Sequence, residues 1–150
     1  MPENVFMQAA LSEARAAMEE GELPVGCVIV KDGAIIARGR NVRQMSNDPT
    51  GHAEIVAIRA AAQKLGDWRL NDCDMYVTLE PCPMCAGAIS QARVGRLFFG
   101  AYDPAQGCAG SIYRIPEDPA FPHFCRCEGG VMEDECREIL NDFFAEARTK

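Results

Sequence analysis

Apolar positions at the start of the chain recur at helical spacing. Val5, Phe6, Ala9, Ala10, Ala14, Ala17 and Met18 share one side of a predicted helix over residues 3–20, and Gly21 supplies its stop. The period then changes. Residues 24–30 form a continuous apolar run of strand length, Lys31-Asp32-Gly33 is a turn, and residues 34–37 are apolar again, which predicts a hairpin. Asp48-Pro49-Thr50-Gly51 is turn chemistry ahead of an alanine-rich helical stretch, residues 52–65. Residues 75–79 read as a buried strand, 82–93 as a second helix with Pro83 in its first turn, and 94–100 as another strand. The glycine- and proline-rich stretch 102–122 is too long for an idle connection. A short strand at 125–127 and an amphipathic helix at 132–148 complete the pattern. Strands alternating with helices around one hairpin predict an α/β protein, three layers α/β/α with a mixed five-stranded sheet. No repeat or linker interrupts residues 1–150, which suit a single domain.

Composition narrows the function classes. Hydrophobic residues make up 48% and charged residues 25%, which fits a globular chain and excludes wholesale disorder. No apolar run reaches membrane-spanning length, and Glu3 stands where a signal peptide would be basic, so a cytoplasmic protein without a membrane partner is expected. The net charge of −7 opposes general, charge-driven binding of nucleic acid. Eight cysteines in such a chain point to metal binding or catalysis rather than to a disulfide framework.

The spacing of a few residues carries the chemistry. His52-Ala53-Glu54 and Pro81-Cys82-Pro83-Met84-Cys85 each lie where a strand or loop enters a helix. One imidazole and two thiolates give three ligands, one short of a closed structural zinc site, and leave a position for water as catalytic zinc requires. A helix N-terminus favours the thiolate form. Glu54, two residues after His52, points away from the histidine's own direction and borders the same pocket without ligating. It is placed to take the proton of the attacking water and return it to the departing group. His-x-Glu followed by Pro-Cys-x-x-Cys is the signature of zinc nucleobase deaminases. A redox pair would explain Cys82 and Cys85 but not His52 and Glu54. A non-catalytic zinc-binding subunit is a further alternative, and such subunits often lack the glutamate.

The sequence resembles the bacterial tRNA-specific adenosine deaminases, within the cytidine deaminase-like superfamily. The likeness rests on Leu23-Pro24-Val25-Gly26, on residues 48–54, on residues 76–88 from Tyr76 to Ala88, on Gly107-Cys108-Ala109-Gly110-Ser111 and on Asp142-Phe143-Phe144. The first of these are shared with guanine and cytosine deaminases, and the later ones point to the tRNA enzymes. The resemblance implies a cytidine deaminase-like fold, Zn2+ on His52, Cys82 and Cys85, and Glu54 as the proton shuttle. It implies that Asn41 contacts the target base, that Asp103 lies near the ribose, and that Phe143 and Phe144 lie near the anticodon loop. It also implies a homodimer. As bare sequence, the aromatic pair reads as core. The chain departs from the family at residues 102–106 and 145–147, where basic residues are usual, and at Pro122, where asparagine is. These departures keep a free nucleobase or nucleoside, of guanine or cytosine type, as the alternative substrate to the tRNA anticodon loop.

Two clusters remain. His123, Cys125 and Cys127 share a face if extended and suggest a second metal, which Cys108 could join, or simply buried thiols. Arg38, Arg40 and Arg43 bracket Asn41 as a phosphate-binding patch or as solvated charges.

Overall fold

Asp32 and Gly33 take positive φ values of 53° and 76°, the pair of conformations a two-residue type I′ hairpin turn demands. They join strand β1 (Gly26–Lys31) to β2 (Ala34–Arg40) in the computed structural model, which describes residues 2–148 and the side chains of 4–147. Helix α1 (Pro2–Glu19) precedes the hairpin; α2 (Ala53–Leu65), β3 (Cys73–Leu79), α3 (Pro83–Ala92), β4 (Arg96–Ala101), β5 (Arg126–Glu128) and α4 (Glu133–Arg148) follow. The five strands form one sheet in the order β2-β1-β3-β4-β5. β1 runs antiparallel to both neighbours, and β3, β4 and β5 run parallel. The expected mixed five-stranded sheet is present.

Alternation along the strands sorts side chains into two cores. Cys27 and Ile29 of β1, Met75 and Val77 of β3, and Leu97 and Phe99 of β4 face Ala53, Ala57, Ala61 and Ile89 of α2 and α3. Val28, Val30, Tyr76 and Phe98 face the other way, against Met7, Leu11, Ile139 and Leu140 of α1 and α4. Helices therefore cover both faces, as the three-layer reading predicts. Two glycines allow two of the helices to approach the sheet. A Cβ on Gly26 would stand 1.9 Å from the Ala10 carbonyl oxygen of α1, and one on Gly39 would stand 2.4 Å from that of Ala53 in α2. Among the described residues, no helix is long and apolar enough to cross a membrane.

The structure corrects three details. Val5, expected on the packed side of α1, is 60% exposed. The buried stripe runs through Met7, Ala10, Leu11, Ala14 and Ala17, and Val5 points nearly opposite to it. Strand β2 continues three residues past its expected end, because Arg38 and Arg40 flank the inward Gly39 and meet Glu13 of α1 and Glu20 just beyond the end of that helix. The long connection after β4 holds a 3-10 turn, Ile115–Glu117, and a bridge between Ala109 and Arg114.

Candidate metal centre and substrate cavity

His52 is the N-cap residue of α2 and Cys82 that of α3; both are extended, and neither side chain caps its own helix. The two side chains are therefore free to reach across the gap between the helix ends. Pro83 fixes the first residue of α3, where its missing N–H costs nothing. Cys85 lies three residues beyond Cys82, on the same side of the helix. The Sγ atoms of Cys82 and Cys85 each stand 3.5 Å from Nδ1 of His52. All three ligand atoms lie within 4.8 Å of one another. Tetrahedral zinc, with Zn–N of about 2.0 Å and Zn–S of about 2.3 Å, would separate nitrogen from sulfur by about 3.5 Å. The donor set fits zinc in both spacing and softness.

The charges of the site are interlocked. A hydrogen bond from the Cys85 thiol, then one from His52, holds Cys82 down to about 4 against the effect of burial. The same interaction, with burial, pushes the Cys85 thiol far above the ordinary range. Hydrogen bonding to Cys82 raises the pKa of His52, with burial opposing. Glu54 is 4% exposed, and burial pushes its carboxyl up to about 7. A carboxyl poised there both accepts and donates a proton near neutrality.

His52, Glu54 and Cys82 line a cavity of about 210 Å3, with Cys85 buried behind them. Leu23, Val25 and Leu79 make its apolar wall; Asn41, Arg43, Glu80, Asp103 and Gln106 are its other polar groups. Asn41 is 6% exposed, and its side chain has no hydrogen-bond partner among the described residues. A buried amide left unpaired is costly unless a ligand satisfies it. Asp103 accepts the amides of Ala105 and Gln106 at 3.0 and 3.2 Å through Oδ1, so it shapes its own loop as well as the cavity.

The other candidates fall elsewhere. Phe144 does not line the cavity; it is 45% exposed on α4, edge-on to the half-buried Phe143 at 5.6 Å, so it is not the core residue its apolar character suggests. Arg38 and Arg40 are engaged by Glu13 and Glu20, whereas Arg43, at the cavity wall, has no ion pair among the described residues. His123 Nε2 bonds the Val94 carbonyl at 2.8 Å, and among the described residues neither it nor Cys108, Cys125 or Cys127 belongs to a metal-ligating group.

Two buried carboxylates went unassigned in the sequence. Glu22, 1% exposed, accepts the amides of Gln44 and Met45 at 3.1 and 2.6 Å and so fastens the loop leading to His52. Glu80, 2% exposed, fastens the loop on the opposite side of the cavity. The only signal for Glu80 was its place within the Leu79-Glu80-Pro81-Cys82 stretch.

Comparison with known proteins agrees with this geometry. Residues 2–101 match the family model of the cytidine and deoxycytidylate deaminase zinc-binding region. The tRNA-specific adenosine deaminase of Bacillus subtilis (strain 168) is 44% identical over 99% of this chain and 92% of its own length. That of Agrobacterium fabrum is 50% identical over 95% of this chain and 94% of its own. A solved structure from work on A-to-I editing by tRNA:A34 deaminases superposes with a TM-score of 0.87 at 50% identity, covering 90% of this chain and 98% of that one. A guanine deaminase structure from Bacillus subtilis is 49% identical over 65% of this chain and 63% of that one, with a TM-score of 0.63. The chain thus belongs to the zinc-dependent cytidine and deoxycytidylate deaminase family and, within it, to the group of the tRNA-specific adenosine deaminases.

Proposed function

We propose that this protein hydrolyses adenosine to inosine at the wobble position of tRNA, releasing ammonia. One observation carries the reading: His52, Cys82 and the buried Glu54 line one cavity, with Cys85 clustered behind them against His52 and Cys82, in a chain that matches tRNA-specific adenosine deaminases along nearly its whole length.

His52, Cys82 and Cys85 hold the metal. When bound, zinc supplies Lewis-acid activation of water and stabilises the negative charge of the transition state. Glu54 does the proton work: its carboxylate takes a proton from the attacking water and delivers it to the departing amino nitrogen. Asn41, with its side chain unpaired at the wall, binds the edge of the base. Asp103 contacts the ribose, and Arg43 neutralises a phosphate at the mouth. The target base leaves the stack to enter, which a splayed anticodon loop allows at little cost. Phe144, exposed on α4, is offered as a stacking surface for that loop.

We read residues 1–150 as one catalytic domain acting in the cytoplasm as a homodimer. The likeness to the tRNA-specific adenosine deaminases supports the dimer, and the exposed Ile112, Tyr113, Phe121 and Phe124 are apolar surface for a partner to cover. A second reading, deamination of a free base, is favoured by the net charge of −7 and by the likeness to a guanine deaminase. One experiment separates them: incubation of the zinc-loaded protein with an arginine tRNA anticodon stem-loop and, separately, with free guanine, cytosine and their nucleosides. Inosine in the stem-loop supports the first reading. Ammonia from a free base with untouched RNA replaces it with the second.

A further inference from the structure

Glu80 follows the last residue of β3 and stands two residues before Cys82, at the cavity wall. Its Oε1 accepts the Asp103 amide at 2.9 Å and the Ser111 hydroxyl at 2.5 Å. Its Oε2 accepts the amides of Ala109 at 3.1 Å and Ser111 at 2.9 Å. A carboxylate only accepts, and these four donors fill its capacity. All of them come from one segment, 103–111, which carries Asp103 and Gln106 to the cavity. The segment passes directly over the carboxylate at Gly107, where a Cβ would stand 2.3 Å from both Cδ and Oε1 of Glu80. One further tie, from the Cys108 amide to the Pro81 carbonyl at 2.8 Å, joins the loop to the chain just before the first cysteine ligand.

A buried charge is expensive, and an apolar side chain of similar volume would fill this space more cheaply. What it could not do is fix four donors of a loop that has little regular structure. We propose that Glu80 is a positioning residue of the deamination: acting through loop 103–111, it sets Asp103 and Gln106 against the metal-ligand side of the cavity. It thereby governs capture of the substrate and not proton transfer. The assignment rests on the deaminase reading above.

Glu80→Gln tests it, because the amide keeps the shape but turns one acceptor into a donor that faces donors. Gly107→Ala disturbs the same contact from the loop side. Steady-state kinetics are measured on whichever of the stem-loop and the free bases the wild type converts, with zinc content and melting temperature recorded. Charge-assisted bonds of this kind predict that KM rises about tenfold or more while kcat stays within about threefold in both variants. Zinc content stays unchanged, and amide exchange at Asp103, Ala109 and Ser111 quickens. An unchanged KM in both variants, or kcat and kcat/KM falling together, overturns the assignment while the wild type's activity leaves the functional reading intact. If Glu80→Gln loses zinc or fails to fold, Gly107→Ala and Ser111→Ala are judged by the same KM criterion. A wild type inert toward every substrate defeats the functional reading and this assignment with it.

Discussion

Gly39 of β2 lies so close to Ala53 of α2 that a Cβ on it would stand 2.4 Å from the Ala53 carbonyl oxygen, and 2.7 Å from the Ala57 amide nitrogen. Ala53 separates His52 from Glu54, so this contact sets the depth at which the first turn of α2 meets the metal centre. Both obstacles are backbone and cannot swing aside. Gly39→Ala is expected to destabilise the fold by about 1–3 kcal/mol or more. Zinc occupancy should fall with it. Calorimetry and metal analysis of the variant check both effects, and an unchanged melting temperature would show that α2 is not held by this approach.

Glu54 tests the proton shuttle. Glu54→Gln keeps the size of the side chain but removes the group that accepts and returns a proton. Turnover should fall about 10²- to 10⁴-fold with zinc content unchanged. Turnover surviving in the variant would assign proton transfer to another group.

The three arginines around Asn41 should separate in behaviour. Arg40 is committed to Glu20 at 2.7 Å and Glu13 at 3.2 Å, and Arg38 to Glu13 at 3.3 Å, whereas Arg43 at the cavity wall is unpaired among the described residues. Arg43→Ala should weaken RNA binding and lower the slope of log K against log salt by about one, the mark of one lost phosphate contact. Arg40→Ala should leave that slope unchanged. Equal slopes for both variants would contradict the assignment.

Zinc uptake should depend on pH with a definite sign. Cys82 is held down to about 4, but the hydrogen bond to Cys82 and burial keep the proton on Cys85, which must leave before both sulfurs can ligate. Affinity should therefore rise with pH around neutrality, about tenfold per unit for each proton displaced. Competition titrations with a chelator at several pH values measure this. An affinity independent of pH would mean that no proton leaves on binding.

Much of the fold and the metal centre was legible because their signals are local. The Asp32-Gly33 turn, the apolar runs of β1 and β3, and the helix-entry positions of His52, Cys82 and Cys85 all follow from neighbouring residues. The end of β2 was not legible, because Arg38 and Arg40 look like the end of a strand until Glu13 of α1 and Glu20 just after it are seen beside them. Glu22 and Glu80 were hidden for the same reason. In sequence each is an ordinary acid, and the amides that justify its burial lie more than twenty residues away. Asn41 stood between these cases: its resemblance suggested a role, and its burial without a partner supplied the physical reason.

The proposed metal centre holds zinc on three protein ligands with room for one more atom. X-ray absorption at the zinc edge of the loaded protein tests it most directly. Two sulfur and two nitrogen or oxygen neighbours are expected, with one sulfur lost in Cys85→Ala. A third sulfur in the native protein, or a spectrum unchanged by Cys85→Ala, would contradict it.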